Sequence, residues 1–169
     1  MRLRLNKDVI NSLIAHAAKG YDMPYKREVG GHLLGVKYEK GFQVCKAVPY
    51  RTPFGTRTAW DPNPYLFEKK GCRLETIRFK WIGAYHSHVE IMGTASATQS
   101  SEDRRAHYFS QGPVEIVIRV ANYPMKWPRN CLSYEENDYV FDICGYAKDS
   151  TGRIMSVKVE AARNQKSTR

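Results

Sequence analysis

His86 and His88 stand two residues apart at the end of an apolar run, Trp81-Ile82-Gly83-Ala84-Tyr85. Side chains alternate across a strand, so both imidazoles leave on the same face. A catalytic zinc takes three protein ligands and leaves its fourth position to water, and these histidines supply two. The third must come from the polar stretch that follows. Asp103 is the leading candidate, because a helix starting near Ser101 holds it in the first turn; His107, four residues on along the same helix face, is the reserve. Two frames compete here, Ser96-x-x-Gln99 and Ser100-x-x-Asp103, and both fit a helix capping box. Gln99 is neutral and weakly donating, so ligand chemistry favours Asp103. A hydrolytic site also needs a base to take a proton from water, typically Glu. Glu28 directly precedes the apolar run Val29 to Val36, where a carboxylate at a sheet's edge faces either a pocket or solvent.

These residues need elements to hold them. Asn6 caps a first helix with Val9, Ile10, Leu13, Ile14 and Ala17 on one face and Gly20 as its stop. The run from Glu28 to Val36 and that from Phe42 to Val48, separated by Gly41, read as a hairpin. Pro49 to Pro64 is a surface loop, Tyr65 to Thr76 a weak helix, and the strand bearing the histidines follows. Ser101 to Phe109 forms a helix stopped by Gly112-Pro113, and Val114 to Val120 is the clearest strand. Asn122 to Asn137 is irregular; Tyr139 to Cys144 and Ile154 to Val159 are the last strands. The expected architecture is an α/β (α+β) fold, a mixed sheet flanked by helices in a single domain over residues 1–160. A flexible basic tail is expected over 161–169.

The 169 residues are enough for one buried core, and 42% hydrophobic with 26% charged residues excludes a disordered chain. No apolar run approaches the roughly 20 residues that cross a bilayer, and no signal-peptide core follows the first charges, so a cytoplasmic protein without membrane partners is expected. Cys45, Cys72, Cys131 and Cys144 contain no C-x-x-C pair and read as reduced core residues. The formal charge of +10 favours acidic partners, but no nucleic-acid-binding signature accompanies it. A zinc nucleobase deaminase is disfavoured by the lack of His-x-Glu with Pro-Cys-x-x-Cys.

Together, these motifs resemble those of the JAMM metalloproteases of the MPN-domain family. Glu28-Val29-Gly30-Gly31-His32-Leu33-Leu34-Gly35 is similar to the family's Glu-Val-x-Gly-x-Leu-x-Gly segment, Gly83 to His88 to its Gly-x-x-His-Ser-His strand, and Ser100-Ser101-Glu102-Asp103 to its Ser-x-x-Asp. The resemblance implies an MPN-like fold and Zn2+ held by His86, His88 and Asp103. It also implies Glu28 as general acid/base and Ser100 as donor to the oxyanion. The implied activity is hydrolysis of a peptide or isopeptide bond in a protein substrate, such as the tail of a ubiquitin-like protein. Two departures stand out: Val89 replaces the usual Pro after the second His, and the usual spacing lands on Ser96 and Gln99, so Ser100 and Asp103 require four extra loop residues. Such an insertion changes closure entropy little. The alternative is an inactive MPN-like scaffold for protein–protein interaction.

Overall fold

The computed structural model describes residues 1–23, 25–52, 56–91, 93–124 and 130–162. In chain order its elements are β1 (Arg2–Leu5), α1 (Lys7–Tyr21), β2 (Gly30–Tyr38), β3 (Gly41–Tyr50), α2 (Pro64–Arg73), β4 (Lys80–Val89), α3 (Ser101–Phe109), β5 (Val114–Ala121), β6 (Leu132–Glu136), β7 (Tyr139–Lys148) and β8 (Ile154–Ala161).

The strands run in the order β5-β4-β2-β3-β1-β8-β7, and β5 then pairs with β7, so seven strands close on themselves. The molecule is therefore mostly β, a closed barrel with three short helices, and not the α/β (α+β) fold with a central mixed sheet flanked by helices expected from the sequence. The cause is the antiparallel pairing of Val114–Ala121 with Ala147–Val140, which satisfies the edges of both strands over their length. Along its other edge β7 is shared: Tyr139 to Ile143 pair with β6, and Gly145 to Lys148 with β8. β6 occupies part of the stretch expected to be irregular, and β1, too short to give an alternation signal, adds parallel to both β3 and β8.

α1 starts where expected: the Asn6 side chain accepts the Val9 amide at 2.8 Å. It runs past Gly20 to Tyr21. Its apolar face joins Leu3, Leu5, Val44, Ile116, Ile118 and Phe141 in one buried cluster. Fully burying each such side chain contributes about 1.5–3 kcal/mol. α2 covers a smaller cluster on the other side of the sheet, Leu34, Phe67 and Trp81. α3 carries the chain across from β4 to β5, which run parallel. The cysteine expectation is also corrected in part, because Cys131 and Cys144 form a disulfide at the junction of β6 with β7 while Cys45 and Cys72 are free. Residues this far apart in sequence meet only because β6 returns along β7. Of the expected tail, Ala161 ends β8 and residues 163–169 lie outside the described part.

Candidate metal centre

One irregularity in β4 aims the histidines. Leu33 pairs with Gly83 and Leu34 with Trp81, so Ile82 is an extra residue on β4, a β-bulge. Gly83 sits at φ +144°, and a Cβ there would lie 1.8 Å from the Val114 carbonyl oxygen. The bulge shifts the alternation: Ile82 and Tyr85 enter the main core, while Ala84, His86 and His88 share the opposite face. His86 is buried; its strand partner across the sheet is Gly30. A Cβ on Gly30 would strike the Trp60 indole, which instead lies parallel to the His86 ring with centroids 6.2 Å apart.

Asp103 arrives from α3 by a capping box. Ser100 Oγ accepts the Asp103 amide at 3.1 Å, and Asp103 Oδ2 accepts the Ser100 amide at 2.7 Å. The structure thus places Asp103, not Gln99, beside the histidines. His86 Nε2 and His88 Nε2 are 3.0 Å apart, His88 Nε2 lies 3.1 Å from Asp103 Oδ2, and His86 Nε2 lies 3.4 Å from Asp103 Oδ1. Zinc bonds of about 2.0–2.1 Å in a tetrahedron require ligand atoms about 3.3 Å apart, and two imidazole nitrogens with a carboxylate at 3.0–3.4 Å are a donor set of that kind. The same three residues are a group that could hold a metal among the described residues.

The electrostatics agree. Burial alone would raise the Asp103 carboxyl and lower the His86 imidazole. Their mutual hydrogen bonds win, holding Asp103 far below the usual carboxylate range and, with Glu115, pushing His86 up to about 10. The cluster attracts positive charge, which a proton or a metal cation supplies.

Glu28 is buried at the lip of β2, close enough that its carboxyl senses both histidines and Asp103. Burial raises it to about 7, against the opposing pull of His88 and His86 and a hydrogen bond from the Trp60 backbone. Its place is fixed by the residue between the histidines: Ser87 Oγ accepts the Val29 amide at 3.0 Å and the Ser87 amide donates to the Val29 carbonyl at 2.8 Å. Glu28, His88, Ser100 and Asp103 line one cleft of about 730 Å³, a size that holds small ligands or a stretch of peptide.

The reserve ligand His107 is not in the cluster; it lies buried behind it, beside Gln99 and Glu115. Sequence reasoning missed Glu115, whose carboxylate reaches His86 Nδ1, and Trp60. A signal existed for the first: Glu115 and Arg119 are the charged residues of β5, whose eight residues are all buried.

No family profile and no curated protein sequence matches the chain. Among solved structures, a Desulfitobacterium hafniense protein determined in solution is similar, with a TM-score of 0.60 and 17% identity over 96% of this chain and 94% of that one. A JAB1/MPN domain protein from Archaeoglobus fulgidus aligns at a TM-score of 0.47 and 17% identity over 92% of this chain and 97% of that one, too loosely to bear an argument. The chain shares the fold of the Desulfitobacterium hafniense protein.

Proposed function

We propose that this chain is a zinc-dependent hydrolase of JAMM type that cleaves a peptide or isopeptide bond in a protein substrate. The supporting observation is the convergence of His86 Nε2, His88 Nε2 and an Asp103 carboxylate within zinc-ligating distance of one another, in a cleft that also holds Glu28 and Ser100. Residues 1–160 act as the single catalytic domain. His86, His88 and Asp103 would hold the cation, which would supply Lewis acidity towards the scissile carbonyl and acidify water.

The remaining work falls to the protein. Glu28, buried and poised near neutrality, takes the proton from the attacking water and returns it to the leaving amine. Ser100 Oγ accepts the Asp103 amide to cap α3, and its hydroxyl proton, shared with the Glu102 carboxylate, turns to donate to the developing oxyanion. Trp60 lines the cleft and lies parallel to the His86 ring, forming its wall on that flank. Among the described residues no helix is long and apolar enough to cross a membrane, and the basic surface favours a substrate with an acidic face.

The test is hydrolysis of peptide-linked and isopeptide-linked ubiquitin-like conjugates by zinc-loaded protein. Turnover lost with Asp103→Ala together with bound zinc supports the proposal. Zinc binding without turnover on any conjugate favours the scaffold, and no zinc binding refutes both the metal site and the hydrolase.

A further inference from the structure

Glu115 is a buried carboxylate on an otherwise apolar strand, a placement that costs free energy unless the charge is partnered. Its register explains its target. β4 and β5 run parallel with Ala84 opposite Glu115, so Glu115 shares a sheet face with His86, one alternation further along β4. Glu115 Oε1 lies 3.3 Å from His86 Nδ1. The other oxygen is held from behind: the Gln99 side-chain amide donates to Glu115 Oε2 and lies 3.1 Å from His107 Nδ1, which is itself 3.4 Å from Oε2. One amide group, with two hydrogens, therefore bridges the carboxylate and an imidazole nitrogen. Among the described residues this leaves Oε1 to His86.

Resting on the zinc reading above, we propose that Glu115, held by the Gln99 amide, is a positioning residue for the metal site: it accepts the Nδ1 proton of His86 and so turns Nε2 towards His88 and Asp103. A carboxylate can only accept, so the proton resides on Nδ1 and the opposite nitrogen is the one offered to a cation. An outer carboxylate of this kind fixes the ring plane and raises the basicity of the ligating nitrogen. Gln99 thus acts one step outside the ligand sphere. Its amide secures the group that orients a ligand, which a carboxylate at the same position could not do beside Glu115 without repulsion.

Two measurements test this. In metal-free protein, the His86 Nδ1 proton should give a far-downfield, exchange-protected signal in proton NMR that couples to the His86 ring. Glu115→Ala should abolish that signal, and Glu115→Gln, which keeps an acceptor oxygen, should shift it. In a zinc competition titration, Glu115→Ala should weaken binding by about 10–100-fold, as loss of an outer-shell partner does. Glu115→Gln and Gln99→Leu should weaken it less, with the folded state verified by circular dichroism. If Glu115→Ala does not fold, the other two variants decide. Zinc affinity within twofold of the parent in all folded variants, or a parent lacking the protected Nδ1 signal, would overturn the proposal. A parent that shows the signal but binds no zinc would sink the hydrolase reading while leaving the Glu115–His86 bond standing.

Discussion

The Nδ1 of His88 lies 3.0 Å from the carbonyl oxygen of Ser96. A carbonyl accepts only, so Nδ1 carries a proton and Nε2 is the nitrogen turned towards Asp103. The loop between β4 and α3, longer than the resembled pattern requires, is therefore part of the site. Ser96 and Gln99, the pair that competed with Ser100 and Asp103, take the outer positions instead: one orients His88, and the other holds the carboxylate beside His86.

That loop is pinned from the core. Arg119, fully buried, donates from Nε to the Ala95 carbonyl at 3.1 Å, from Nη2 to the Tyr123 carbonyl at 3.1 Å and from Nη1 to Asp142 at 2.7 Å. Arg119→Met leaves the buried Asp142 without its counter-charge, its Oδ1 still held by the Ser133 hydroxyl, at a cost of about 3–5 kcal/mol. At about 2–4 °C per kcal/mol for a chain of this size, Tm should fall by roughly 6–20 °C. Pairing it with Asp142→Leu should recover much of the stability but not the zinc affinity, since the loop stays unpinned. Calorimetry and zinc titration on both variants check this. Parent-like zinc affinity in the double variant would contradict the loop's role.

Glu28→Gln keeps the volume and removes the base. Zinc content should match the parent, whereas turnover of any conjugate the parent cleaves should drop by about 10²–10⁴-fold. Retained turnover would remove Glu28 from the mechanism.

His32 gives the fold an acid limit independent of the site. It is fully buried, stacked on Phe67 at 4.0 Å, and neither ring nitrogen finds a partner among the described residues. Burial, aided by the Lys70 charge, lowers its pKa from 6.5 to about 4. The folded state thus binds fewer protons than the unfolded one between these values. The stabilisation is fully present above about pH 6.5 and is lost as pH falls towards 4, by up to about 3 kcal/mol. Thermal unfolding from pH 7 to pH 4 should show His32→Phe losing less stability than the parent. Parallel pH profiles would refute this account of His32.

Local features were legible in the sequence because their causes are local. Strand alternation put His86 and His88 on one face, and the Ser100 cap starts α3 so that Asp103 falls in its first turn. The barrel was not legible, because its closure depends on β5 finding β7, a pairing between stretches that each look complete as buried strands. The disulfide was hidden for the same reason, since Cys131 meets Cys144 only once β6 lies along β7. Glu115 and Arg119 left a readable trace as charges within an apolar strand, but naming their partners required the register and the loop.

The most direct test of the central claim is cobalt substitution. Metal-free protein titrated with Co²⁺ should develop the intense visible bands of four-coordinate cobalt, saturating at one ion per chain and displaced by zinc. Asp103→Ala, which removes one of the three ligands, should lose those bands while remaining folded. Unchanged bands in Asp103→Ala, or no specific cobalt binding by the parent, would contradict the site built from His86, His88 and Asp103.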